Sequence, residues 1–167
     1  MPRYFMLAAP LVLLAGASAA QESGTLALDI GGASRSYTLW SEQSDWSGWG
    51  EPPAVSGSVN IYARPEEGGG TFATFTLGLD LMSGAVNGAE ASLLSLSDGE
   101  TTRYFSTDDQ GALAVELSEL SVDGEFLSIS GSLSGQMGPS PDFGRTVDLS
   151  EPLAISGEFA VTLGPVE

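Results

Sequence analysis

The sequence contains no cysteine, no histidine and no lysine, and each absence removes a class of chemistry. Without histidine, no Ser-His-Asp or Cys-His catalytic centre can form. Without cysteine and histidine, the common zinc, copper and iron sites lose their ligands. Without lysine, neither a Schiff base nor a phosphate-binding P-loop is available. We therefore expect no cofactor, and the remaining catalytic chemistry is that of carboxylates.

Positive charge is also scarce. Five arginines stand against 22 acidic residues, which gives a formal net charge of −17 at pH 7. Nucleic-acid binding needs a basic surface, so the composition excludes a nucleic-acid partner. Solubility at high ionic strength is the simplest consequence of this charge, and cations or a basic protein are alternative partners. Charged residues make up only 16% and hydrophobic residues 42%, which indicates a folded domain.

Residues 1–20 have the organisation of a secretory signal peptide. Arg3 precedes an apolar run over residues 5–16 that is too short for a permanent membrane span, and the small residues before Gln21 suit cleavage after Ala19 or Ala20. An N-terminal anchoring helix is the alternative. We expect an exported protein, periplasmic or secreted, that carries no lipid anchor because it has no cysteine to acylate. No second apolar stretch approaches the length of a transmembrane helix.

Alternating apolar and polar residues dominate residues 21–167 and predict one all-β domain. Leu26, Leu28 and Ile30 share one face of the first predicted strand, and residues 153–163 alternate without a break. Turn signals recur at short intervals. We predict a single antiparallel, meander-type β-sandwich or small β-barrel of about 8–10 strands.

Several segments between the clearest strands need separate interpretation. Asp98-Gly99 is the strongest hairpin signal. Residues 41–53 are polar, contain glycine and proline, and predict a loop. A later strand is expected to start at Ala89, directly after Asn87-Gly88. Residues 112–120 fit a strand or a short helix, and we favour the strand because a tight turn follows.

The phrase aliphatic–Ser–Gly–polar–apolar occurs three times in the sequence, around Gly57, Gly131 and Gly157. Each glycine falls on the apolar face of a predicted strand. Glycine normally weakens a strand there, unless the sheet bends or another backbone approaches closely. We interpret the three positions as bends in the sheet, with coincidence in a glycine-rich chain as the alternative.

The three tryptophans, Trp40, Trp46 and Trp49, lie close together in the sequence. Trp40 ends a predicted strand, and the other two lie in the predicted loop. Aromatic rings on loops offer stacking platforms for sugars or for apolar side chains of a partner. These residues are the candidate ligand-binding site, for a glycan or an envelope protein bound through residues 40–50. The alternative is that they fold back and cover one end of the sheet.

Carboxylates offer a second kind of candidate site. Asp45, Asp80, Glu116 and Glu158 are expected to face outward, and two of them could act as general acid and base on a glycosidic bond if the fold brought them together. Solvated surface carboxylates are the alternative interpretation.

A weak calcium candidate is the turn that contains Asp108 and Asp109. Calcium takes hard oxygen ligands, and this segment has two acids followed by Gly111. It lacks the alternating acids and the closing glutamate of an EF-hand loop, so the simpler interpretation is that the two aspartates form a turn.

Three functions are compatible with these patterns. We favour an exported, non-enzymatic binding or envelope-associated domain. The first alternative is a small outer-membrane or envelope structural barrel, which alternating strands permit. The second is a carboxylate-dependent hydrolase.

Overall fold

The computed structural model describes residues 21–66, 71–97 and 99–166. The predicted signal peptide, residues 1–20, lies outside them, so cleavage and export stay predictions. A one-turn 3-10 helix spans Ser41–Gln43. No helix in these ranges is long and apolar enough to cross a membrane. The strands are β1 Ser23–Ile30, β2 Ala33–Leu39, β3 Asp45–Trp49, β4 Ser56–Pro65, β5 Phe72–Met82, β6 Ala85–Ser97, β7 Glu100–Thr107, β8 Ala114–Asp123, β9 Phe126–Pro139 and β10 Leu153–Leu163.

The strands form one ring-like antiparallel sheet, which confirms the predicted fold class. The order is β10-β1-β2-β4-β5-β6-β7-β9, and β9 pairs with β10 to close the ring. Two joins are short: β2 meets β4 only over Tyr37–Leu39, and β7 meets β9 only over Tyr104–Phe105. These joins divide the ring into a first half-sheet, β3 to β7, and a second half-sheet, β8, β9, β10, β1 and β2.

The core lies between the half-sheets and is built from the inward rows. The predicted apolar face of the first strand is confirmed, because Leu26, Leu28 and Ile30 are buried. The inward rows of β5 and β10 are confirmed in the same way. Each buried aliphatic side chain stabilises the fold by about 1.5–3 kcal/mol relative to exposure. The largest fully buried side chains are Tyr37, Phe75, Leu26, Leu28, Ile30, Ile61, Leu77, Leu93, Leu127, Met137, Ile155 and Leu163.

The prediction of a loop over residues 41–53 is wrong, because the segment contains the short helix and β3. β3 pairs with β4 on one side. On the other side, the Trp46 N–H donates to the Gly164 carbonyl (3.0 Å) and the Val166 N–H donates to the Trp46 carbonyl (3.1 Å). Five residues are too few for alternation to reveal a strand, and pairing on both sides stabilises it.

The predicted start of a strand at residue 89 is also wrong. Asn87-Gly88 lies inside β6, where a register shift after Asp80 leaves Asn87 as the extra residue of a β-bulge. The chain reverses earlier, at Ser83-Gly84, and both residues have positive φ (52° and 80°).

Two other local predictions are confirmed. Ser97 pairs with Glu100, as a hairpin centred on Asp98-Gly99 requires, although Asp98 itself lies outside the described residues. Residues 112–120, which fitted either helix or strand, contain most of β8.

At each repeated glycine the neighbouring backbone lies so close that a Cβ would not fit, whereas the bend that we interpreted from the sequence stays a prediction. A Cβ at Gly131 would collide with the Glu116 carbonyl oxygen, and one at Gly157 would collide with the Ala27 carbonyl oxygen. Gly57 meets the backbone of β3 in the same way. The outer face of the second half-sheet is concave around Gly131.

Candidate functional site

Trp46 is an interior residue. Its side chain is only 7% exposed, and the indole Nε1–H donates to the Glu125 carbonyl oxygen at 2.8 Å. The ring therefore closes one end of the fold, as the alternative interpretation of the tryptophans expected for all three. Trp46 offers no stacking face to a ligand.

The other two tryptophans lie at opposite ends of β4. Trp49 is 73% exposed and pairs with Ser56, the first residue of β4. The Trp40 N–H donates to the carbonyl of Tyr62, which lies six residues further along this strand. About 20 Å of extended chain separates the two positions. The three tryptophans therefore do not form one surface, and Trp40 is the one that lines a groove.

This groove lies on the outer face of the first half-sheet and has a volume of about 350 Å³. A second depression of about 270 Å³ continues it beneath the loop at residues 140–147. We call the two together the aromatic groove. The larger part is lined by Trp40, Gln43, Tyr62, Thr74, Thr76, Glu90, Ser92, Leu94, Arg103, Phe105 and Phe143.

Strand register builds the floor of the aromatic groove. Tyr62 of β4 pairs with Thr76 of β5, which pairs with Ser92 of β6, which pairs with Phe105 of β7. The neighbouring residues in each strand point into the core, so this row points outward. The hydroxyls of Thr76 and Ser92 are 2.7 Å apart and bond to each other. The floor thus has hydroxyls between two aromatic residues.

Trp40 forms one wall of the groove, and its backbone is fixed by a serine. The Ser44 hydroxyl donates to the Trp40 carbonyl (2.8 Å), and the same oxygen accepts from the Tyr62 N–H (2.9 Å). The Arg64 guanidinium carbon lies 3.1 Å from the centroid of the Trp40 ring. The indole Nε1–H of Trp40 donates to Glu42 at 3.3 Å. These contacts fix the orientation of the ring.

Phe143 forms the opposite wall. It is 75% exposed, and its φ of 58° lies in the left-handed region, which is strained for a side chain of this size. The Asp142 carboxylate accepts from the Ser140 hydroxyl (2.9 Å) and from the Thr146 N–H (2.8 Å). The backbone hydrogen bond from Thr146 is the main cause that lowers the pKa of Asp142 below its usual 3.8. The loop therefore holds an apolar ring in solvent.

Gln110 ties this loop to the end of β7. Its side-chain amide donates to the Arg145 carbonyl (3.1 Å) and accepts from the Val147 N–H (2.9 Å). Gln110 is in turn bonded to Thr107, whose hydroxyl accepts from the Gln110 N–H at 2.9 Å. These hydrogen bonds attach residues 140–147 to the end of β7.

The calcium candidate lies in the turn that carries Gln110. The Asp108 carboxylate accepts from the Asp109 N–H at 2.9 Å, as expected for a turn-forming residue. Within the described ranges, no three acidic side chains come together in a way that could hold a metal ion. The calcium assignment stays a prediction.

The four carboxylates singled out from the sequence divide between two surfaces. Glu116 of β8 and Glu158 of β10 both pair with Ser132 of β9, so they flank it on the concave outer face of the second half-sheet. This concavity has a volume of about 530 Å³. Asp45 accepts from Asn60 (2.8 Å) and Asp80 accepts from Ser58 (3.0 Å) on the first half-sheet. The structure therefore brings one of the possible acid pairs together.

Sequence reasoning found Trp40 but missed Tyr62, Arg103 and Phe143. The sequence contained one signal for Tyr62. It is an aromatic residue at an outward position of a predicted strand, where polar residues are expected. Phe143 had only the weak signal of an aromatic residue in a loop rich in proline and glycine. Neither signal shows that the residues meet. That information lies in the register of β4 to β7.

Comparison with known proteins adds no relative to this description. No protein-family model, no curated protein and no solved structure matches the chain.

Proposed function

We propose that this protein is a non-enzymatic binding module that binds a glycan in the aromatic groove. The observation that carries the proposal is the arrangement of Trp40, Tyr62 and Phe143 around a floor of threonine and serine hydroxyls. Sugar rings have apolar C–H faces and hydroxyl-bearing edges. Aromatic rings bind the faces, while hydroxyls and amides bind the edges by hydrogen bonds.

Exposure of the Phe143 ring to solvent is less favourable than packing it in the core. Large apolar side chains in solvent leave apolar surface hydrated, which is unfavourable by about 25 cal/mol per Å². Phe143 is exposed in a strained backbone conformation, and several hydrogen bonds hold it there. Exposed apolar patches rimmed by polar groups are typical of binding sites. The volume of the groove also falls in the range of small-ligand sites.

Tryptophan fluorescence tests the proposal directly. We expect Trp40 emission to shift or be quenched when the protein is titrated with defined cello-, malto-, chito- and galacturono-oligosaccharides. The titration uses a Trp49→Phe background, in which Trp40 is the tryptophan that faces the groove and Trp46 is buried. Isothermal calorimetry gives the affinity independently.

Matched variants distinguish the groove from the rest of the surface. Trp40→Ala and Tyr62→Ala should each weaken binding about tenfold or more, since loss of a stacked ring removes about 1.5 kcal/mol. Trp49→Ala is the control, because it removes an exposed tryptophan outside the groove. The proposal is rejected if no oligosaccharide binds, or if Trp49→Ala weakens binding as much as Trp40→Ala.

A second candidate function rests on the acid pair of the second half-sheet. Two strand spacings, about 10 Å, separate the backbones of Glu116 and Glu158, and both residues line the same concave surface. Glycosidases use two carboxylates roughly 5–10 Å apart. Hydrolysis of a labelled oligosaccharide that is lost in both Glu116→Gln and Glu158→Gln, but kept in Glu119→Gln, would support this function. Equal rates in all three variants would reject it.

A further inference from the structure

Arg103 lines the aromatic groove, and Arg64 lies against the Trp40 ring that forms one of its walls. The chain has 22 acidic residues, yet no acid in the described ranges forms an ion pair with either guanidinium. Each arginine instead lies against an aromatic ring of a groove wall. In so acidic a chain, pairing would be the simplest arrangement, and among the residues that the structure describes neither guanidinium has it.

Arg103 has the more direct access to the ligand. It is exposed, it pairs with Leu94 across the β6–β7 ladder, and it lines both depressions of the groove. Its guanidinium carbon lies 5.9 Å from the centroid of the Phe143 ring. Stacking on a ring face leaves the N–H edge of a guanidinium free to donate.

The two ends of the aromatic groove carry side chains of opposite charge. Glu90 lines one end of the groove and pairs with Thr107 in the β6–β7 ladder. Arg103 lies at the other end, four residues before Thr107 in β7. About 13 Å of extended strand separates these two groups. An anionic substituent is therefore repelled from the Glu90 end and attracted to the Arg103 end.

We propose that the groove selects an acidic glycan, one that carries carboxylate groups on its sugars, and that Arg103 determines this specificity. The inference rests on the proposed function. A guanidinium fork matches the two oxygens of a carboxylate and donates two parallel, charge-assisted hydrogen bonds. Arg64, about three strand spacings or 14 Å away, provides a second positive charge for a glycan that spans the groove.

The net charge of −17 does not prevent this binding. At physiological ionic strength, charges more than about 8 Å apart are largely screened where they are exposed. The contact between Arg103 and a carboxylate is within hydrogen-bonding distance and is screened less. Added salt should therefore weaken the binding of the acidic glycan more than that of a neutral one.

The decisive experiment compares two ligands that differ only in charge. Oligogalacturonate and its methyl ester share one backbone, and alginate oligomers with their esters provide a second pair. We expect the wild-type protein to bind the acidic form about tenfold or more tightly, and Arg103→Gln to bring the ratio of the two affinities close to one. Arg145→Gln is the control, since it removes the same charge from the neighbouring loop surface.

The outcomes separate this inference from the proposed function. Equal or tighter binding of the ester, or equal effects of Arg103→Gln and Arg145→Gln, would overturn the acidic specificity and leave glycan binding in place. Absence of binding by both forms of both glycans would overturn the inference together with the proposed function. Arg103→Lys checks the geometry: it keeps the charge but loses the fork, so it should recover only part of the preference. Thermal unfolding verifies that each variant is folded.

Discussion

The two half-sheets have different outer faces, although the inward residues of both are apolar and buried in the core. The outward residues of β9 and β10 are mostly serine and alanine, with Glu158 among them. The outer face of β4 to β7 instead carries Tyr62, Arg103 and the covering rings of Trp40 and Phe143. Burial of the inward rows stabilises both halves and places no demand on the outward side chains. The outward rings of Trp40, Tyr62 and Phe143 are therefore not explained by burial of the inward rows.

The space beside two strand glycines, Gly131 and Gly78, also differs, and a substitution can show it. Gly131→Ala in the second half-sheet should reduce the free energy of unfolding by about 3 kcal/mol, because the added methyl group meets the Glu116 carbonyl oxygen. Gly78→Ala in the first half-sheet should cost less than about 1 kcal/mol, since its nearest neighbour would be 3.9 Å away. Urea denaturation measures both. Equal losses of unfolding free energy in the two variants would contradict the difference in space beside these glycines.

The tryptophans sharpen the contrast between structural and surface aromatic residues. Trp46→Phe should lower the free energy of unfolding by about 2 kcal/mol, because it removes the indole hydrogen bond to the Glu125 carbonyl and leaves a gap where the larger ring was packed. Trp49→Phe should change it by less than about 0.5 kcal/mol. Chemical denaturation followed by circular dichroism compares them without relying on fluorescence. A small effect at Trp46 would mean that the indole hydrogen bond is dispensable.

The loop that holds Phe143 should respond to acid without global unfolding. The pKa of Asp142 is lowered, chiefly by the Thr146 N–H, so the folded loop is favoured above the usual value of 3.8 and loses this contribution as pH falls through the lower, folded pKa. Protection of the Thr146 amide from hydrogen exchange, taken relative to its intrinsic rate at each pH, should therefore fall below pH 3.8. Asp142→Ala should show the low protection at every pH, whereas Glu151→Ala should not. Slow exchange in Asp142→Ala would indicate that Gln110 alone holds the loop.

The smallest effect is expected at Tyr37, at the join of β2 and β4. Burial raises the pKa of this phenol above 10.0, and Arg35 lowers it in part. Stability should fall as pH rises above 10, because the unfolded phenol ionises first. The buried hydroxyl has no hydrogen-bond partner among the described residues. Tyr37→Phe should therefore change the free energy of unfolding by less than about 0.5 kcal/mol at neutral pH and remove part of the alkaline loss. An unchanged alkaline profile would assign that loss to other groups.

The fold was predictable from the sequence where alternation within a single strand identifies its inward residues. Alternation in β1, β5 and β10 identified their inward rows. β3 was missed because five residues are too few to show a period, and its stability comes from distant partners at Val59 and Gly164. The aromatic groove was missed for the same reason. Its walls come from segments more than a hundred residues apart, and only the register between strands brings Trp40 and Phe143 to one surface.

The pairing of β1 with β10 has a consequence for how the protein folds. All of β1 is hydrogen-bonded to residues 155–162, so the ring cannot close until β10 has been synthesised. The hairpins from β4 to β7 join neighbours in the chain and are expected to form first. Closure of the ring is therefore expected to be a late step of folding. Pulse-labelled hydrogen exchange during refolding should show protection in β5 and β6 before β1.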